Sequence, residues 1–140
     1  MRDFERLARV RSIWERQARV KLGEANQDVT QATEASTDAL SDHRRHLEAT
    51  GTAPASAAEL LARRLGGMAT HDRYAAAEVI RGQADRRMRA AQGSWRRSAQ
   101  ELDIARSLEE RRKQALAYAA RRAAEATLDE LMALRTGRKS

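Results

Sequence analysis

The side chains best suited to chemistry are three histidines and the acids near them. His43 and His46 stand three residues apart with Asp42 and Glu48 beside them. On a helix that spacing puts both imidazoles on one face, as a metal pair would require. A zinc site needs three or four ligands converging at about 2.0–2.2 Å, and His71 is remote in sequence with no patterned partner. Packed or surface histidines are the simpler reading, and no metal is expected. The stretch LGGMATHD, residues 65–72, contains glycines but matches neither phosphate-binding spacing, G-x-x-x-x-G-K-[ST] or G-x-G-x-x-G. No Ser, His and Asp fall in a nucleophile-elbow arrangement. Without cysteine there are neither disulfides nor thiolate ligands. The residues therefore predict no catalysis and no cofactor.

The elements that carry these residues are read from composition and period. Of 140 residues, 34% are charged and 41% are apolar. Alanine dominates the apolar share, with one Phe, two Trp and two Tyr. Burial is worth roughly 25 cal/mol per Å², so an alanine seam yields little per residue and a globular core would be weak. Helical periodicity in such a composition points to long helices or coiled coils. From Arg2 to about Thr50 there is no proline. Small or apolar residues recur every three or four positions: Phe4, Leu7, Trp14, Ala18, Leu22, Ala25, Val29, Ala32, Ser36 and Ala39. Arg11 fills the step between Leu7 and Trp14, and the two four-residue steps at 14–18–22 resemble a stutter. One helix over 2–50 follows, roughly 70 Å long at 1.5 Å per residue.

Gly51 and Pro54 predict its end. Ser56 is placed to cap a short helix over 57–65, which Gly66 and Gly67 would close. A second long helix is expected over 70–135, followed by a frayed tail at 136–140. Its stripe includes Tyr74, Ala77, Ile80, Met88, Ala91, Trp95, Ala99, Leu102, Ala105, Leu108, Ala115, Ala119, Leu128 and Leu131. The expected fold is all-α: a single coiled-coil domain of two long helices in an antiparallel hairpin, with a short helix and turn near 50–70.

Net charge is +7, but it is uneven: +4 over 1–23, −5 over 24–62, +6 over 63–100 and +2 over 101–140. The hairpin is expected to set 24–48 opposite roughly 90–112, pairing Glu24, Asp28, Glu34, Asp38, Asp42 and Glu48 with Arg96, Arg97, Arg106, Arg111 and Arg112. In that register Trp14 and Trp95 lie far apart. The acidic block argues against a basic nucleic-acid-binding protein, which gathers its arginines on one face; no nucleic-acid partner is expected. No run approaches 18 apolar residues. The N-terminus has no apolar signal core, and the cytoplasm is the simplest compartment.

The C-terminal third, from Trp95 to Leu134, resembles the FliJ family of flagellar export proteins. The residues that carry the resemblance are Trp95-Arg96, then Leu108-Glu109-Glu110-Arg111-Arg112, Tyr118 with Arg121-Arg122, and Glu125 with Leu128-Asp129-Glu130. The first helix is similar in kind, with Leu7, Val10-Arg11, Glu15 and Ala18. The resemblance implies a stalk-like rod that enters a hexameric export ATPase and promotes its assembly and activity. It also implies contacts with a membrane-embedded export gate protein and with export chaperones, at the cytoplasmic face of the inner membrane. Ring contact would fall to Arg6, Arg9 and Arg11 on one helix and Arg121, Arg122, Asp129 and Glu130 on the other, at the end where both termini lie. The charged run at 109–113 is secondary. Gate contact would involve Ala39, His43, Leu47, Tyr74, Ala77 and Ile80, where the sequence departs from the family's aromatic pattern. A virulence-type secretion stalk and a generic coiled-coil adaptor are the alternatives.

Overall fold

The computed structural model describes residues Arg2–Gly137, apart from the side chain of Arg2. It is all-α: α1 (Arg2–Ala49) and α2 (Ala57–Gly137) form an antiparallel hairpin. The chain divides into two compact units, one of residues 16–96 and one of residues 1–15 with 97–140.

In the unit of residues 16–96, α1 ends one residue short of the expected boundary. Thr50 Oγ1 donates to the Leu47 carbonyl at 2.9 Å, and the Gly51 amide to that of Glu48 at 3.2 Å. Gly51 is not left-handed, so the helix closes through these bonds and not through the glycine cap expected there. Ser56 starts α2 as expected. Its Oγ accepts from the Glu59 amide at 3.1 Å, and the Glu59 carboxylate accepts from the Ala55 amide at 2.8 Å. Ser56 and Glu59 thus form a reciprocal capping box. Arg63 ties the turn down by donating to the Thr52 carbonyl and, at 2.6 Å, to Glu59.

The expected break at Gly66-Gly67 does not occur: α2 is one helix from Ala57. The reason is packing. A Cβ on Gly66 would lie 2.6 Å from Cε1 of His46, so the bare backbone makes room for an imidazole wedged between the helices. The helical cost of glycine, about 1 kcal/mol relative to alanine, is accepted for that contact. Pairing begins at the turn, and the expected register is overturned. Residues 24–48 lie in the unit of residues 16–96, where Ser36 meets Glu78 and His43 meets Thr70. Arg97, Arg106, Arg111 and Arg112 belong to the other unit.

The inward row of α1 in this unit runs through Ala18, Leu22, Ala25, Val29, Ala32, Ser36, Ala39, His43 and His46, and Thr50 continues it just past the helix end. The steps alternate four and three, a regular heptad. The expected stutter is absent, because Glu15, only 5% exposed, takes the inward place assigned to Trp14, which is 49% exposed. Facing α1 are Gly67, Thr70, Tyr74, Ala77, Ala84, Met88, Ala91 and half-buried Trp95.

In the unit of residues 1–15 and 97–140, Phe4, Ala8, Arg11 and Glu15 turn inward with Ser98, Leu102, Ala105 and Glu109. Leu102 and Ala105 are 6% and 2% exposed. Arg11 reaches Glu101 at 2.5 Å, and the Arg112 guanidinium lies 5.4 Å from the Phe4 ring centre. Beyond that contact every described residue of α2 from Glu110 to Gly137 is exposed. The expected seam positions Ala115, Ala119, Leu128 and Leu131 are therefore uncovered among the described residues. Thr136 and Gly137 are helical where fraying was expected; residues 138–140 of that tail lie outside the described range.

Ser36 and Glu78 make a polar layer between the helices. The Glu78 carboxylate accepts from Arg81 at 2.8 Å and also from the Ser36 hydroxyl, and these bonds, Arg81 first, hold its pKa below the ordinary 4.5. A depressed carboxylate stabilises the fold above its unfolded pKa, and that contribution is lost as pH falls through the lower folded value. Glu78→Gln should therefore melt lower than wild type at pH 7, the gap narrowing below about pH 4.5. Thermal melts at stepped pH test this. A gap of constant size down to pH 3 would remove Glu78 as a source of acid sensitivity.

Candidate functional site

Two surfaces collect the residues singled out above, one in each unit. In the unit of residues 16–96, the three histidines gather near the turn. The Thr70 hydroxyl donates to the Gly67 carbonyl at 3.1 Å, so its oxygen accepts the proton of His43 Nδ1 at 2.8 Å. His46 Nε2 donates to the Arg63 carbonyl at 3.0 Å. His71 meets His43 edge to face, with ring centres 5.8 Å apart. Two of the rings thus each have a nitrogen engaged in holding the helices together. Among the described residues no group of three or more His, Asp or Glu is arranged to hold a metal ion.

Beside them lies a shallow groove of about 660 Å³, lined by His46, Leu47, Thr52, Pro54, Leu60, Arg63, Met68 and His71 among others. Leu47, Leu60 and Met68 are each more than half exposed. These apolar side chains share the lining with the histidines, Arg63, Arg64 and Asp72. Of the residues proposed for gate contact, Leu47 and Ile80 face outward, at 54% and 57% exposure. Ala39, His43, Tyr74 and Ala77 are half-buried in the seam, turned toward the opposing helix. Leu60 and Met68 were missed because residues 57–69 were read as a separate short helix and turn. The continuous helix puts them on the wall that Leu47 shares.

In the other unit, the residues proposed for ring contact separate into two groups. Arg6 and Arg9 are exposed on α1. Arg11 is engaged: it is paired with Glu101 and its guanidinium lies 4.8 Å from the Trp14 ring centre. Arg121, Arg122, Asp129 and Glu130 lie beyond the level of Phe4. At 1.5 Å per residue, Arg121 is about 13 Å past Arg112 along α2, and Glu130 about 27 Å. The two sets do not form one surface, contrary to the expectation that both termini meet at one end. The reason is length: α2 has 81 residues and α1 has 48.

On this part of α2, Arg122 and Asp129 are seven residues apart and share a face. The Arg122 guanidinium lies 5.9 Å from the Tyr118 ring centre. Within the charged run 109–113, Glu109 is half-buried and pairs with Lys113 at 3.3 Å, while Arg112 caps Phe4. Much of that run is thus occupied where α1 begins.

No helix among the described residues is long and apolar enough to cross a membrane. No protein-family model matches the sequence, and neither does any curated protein or solved structure.

Proposed function

We propose that the protein is a non-enzymatic, stalk-like component of a type III protein export apparatus, flagellar by the resemblance of its C-terminal third. In this reading the exposed part of α2 engages a hexameric export ATPase. The histidine-lined groove meets the export gate and export chaperones at the cytoplasmic face of the inner membrane. The observation that carries the proposal is the stretch of α2 past Arg112, a continuous helix exposed on every side among the described residues. Such a helix offers a ring many shallow contacts around its circumference. Its mixed charges, Arg121, Arg122, Asp129 and Glu130, give steering and register more than raw affinity.

The test is the ATPase rate of the cognate export ATPase with and without this protein. Wild type should stimulate it. Arg121→Glu with Arg122→Glu should lose most of that stimulation with helicity unchanged, whereas Arg6→Glu with Arg9→Glu should lose less. Undiminished stimulation by all four reversals together would remove these residues from the proposal. No stimulation by wild type would remove the ATPase role.

A further inference from the structure

Trp14 is the largest side chain of α1, yet it stands beside the seam and not in it. It is nevertheless held in place. The Arg11 guanidinium lies 4.8 Å from its ring centre and reaches across to Glu101 of α2 at 2.5 Å. That bridge puts Trp14 and Glu101 on one side of the hairpin, within the unit of residues 1–15 and 97–140. The helical repeat extends the surface from there. Val10 and Leu7 lie one and two turns before Trp14 on α1, and Ile104 and Leu108 lie one and two turns after Glu101 on α2. Because the helices run antiparallel, the two pairs come level with each other. Leu7 and Leu108 are 38% exposed, Val10 41% and Ile104 62%. With Trp14 they make an apolar strip about 10 Å long, seven residues at 1.5 Å each. Large apolar side chains gathered at a surface in this way mark an interaction site.

We infer that this strip is a docking site for a short amphipathic helix of another protein, one whose apolar stripe is flanked by acidic side chains. Charge decides the occupant. Arg97, Ile104 and Arg111 are seven residues apart in turn and share a face, so an arginine stands at each end of the strip. Both arginines are exposed and have no ion-pair partner among the described residues. Glu101, inside the strip, is already matched by Arg11. Asp3, one turn before Leu7, is an opposing charge at the rim and is outnumbered. A second copy would bring arginines against the same arginine rim. A bilayer would need side chains that project, whereas Leu7, Val10 and Leu108 are partly sunk between the helices. Two turns of apolar anchors suit a helix laid in a furrow, and a tryptophan pinned by an arginine is the kind of rigid anchor that dominates such contacts.

This site does not depend on the export role, and it leaves α2 beyond Arg112 uncovered. The test is isothermal titration calorimetry of the full chain with two synthetic helical peptides. Both carry leucines at i, i+3, i+4 and i+7; one is flanked by glutamates and the other by lysines. The glutamate peptide should bind about tenfold more tightly. Ile104→Asp, at an exposed position and checked for helicity by circular dichroism, should abolish that binding. Arg97→Glu with Arg111→Glu should reverse the preference between the peptides. Equal binding of both peptides, or none by the glutamate peptide at several hundred micromolar, overturns the inference. Binding that survives Ile104→Asp overturns it by placing the site elsewhere. Self-association in sedimentation equilibrium, or adsorption to phosphatidylglycerol vesicles, that Ile104→Asp abolishes overturns it by giving the strip to a second copy or to a membrane.

Discussion

Leu102→Ala is expected to lower the unfolding free energy by about 2–5 kcal/mol, the range for emptying a buried leucine site. The other apolar side chains buried to a similar degree are alanines: Ala25, Ala32, Ala84 and Ala105. An alanine neighbour has no length with which to fill the space, so the cavity persists unless the helices close on it. Leu131→Ala supplies the contrast. That leucine is 60% exposed, and its truncation should change stability by less than about 0.5 kcal/mol. Urea unfolding followed by circular dichroism compares the two. Equal, small effects would mean that this unit is not held by its apolar seam.

Gly66→Ala should have a sign that depends on His46. Alone, the new Cβ lies 2.6 Å from the imidazole, and relief requires the ring to swing away and give up its bond to the Arg63 carbonyl. Overpacking of this kind costs about 1–3 kcal/mol, which outweighs the gain of about 1 kcal/mol from replacing a helical glycine. With His46→Ala already in place the clash is gone, and the same substitution should stabilise by about 1 kcal/mol. A double-mutant cycle reads the coupling directly. Stabilisation of the wild-type background by Gly66→Ala would show that the imidazole gives way at no cost, and the packing account of this glycine pair would fail.

The glycine pair and the register both turn on contacts between distant residues. A glycine pair in a polar stretch ends a helix unless something distant requires bare backbone, and the imidazole that does so here lies some twenty positions earlier, on α1. A stop at Gly66-Gly67 lengthens the turn, but a second helix from residue 70 would still set residue 50 beside 70. It explains only a small part of the difference between 24–48 against 90–112 and the pairs that form, Ser36 with Glu78 and His43 with Thr70. The charge blocks could not correct this, since exposed ion pairs are worth at most about 1 kcal/mol. The ion pairs that form include several along a single helix, such as Asp42 with Arg45, Asp85 with Arg89 and Glu109 with Lys113. Trp14 failed as a seam residue for a related reason. The steps from Leu7 through Arg11 predict it inward, while the strict four-three alternation, Arg11 to Glu15 to Ala18, gives the inward place to Glu15.

Helical character, the absence of strand patterning, the Ser56 start and most of the small-residue stripe follow from the sequence alone, because propensity, capping and period act within a few residues. Tertiary structure alone decided which residues of the two helices meet, that Gly66 and Gly67 sit inside α2, and that α2 outruns α1 beyond Arg112. Those outcomes depend on steric fit between residues distant along the chain, and no local pattern records it.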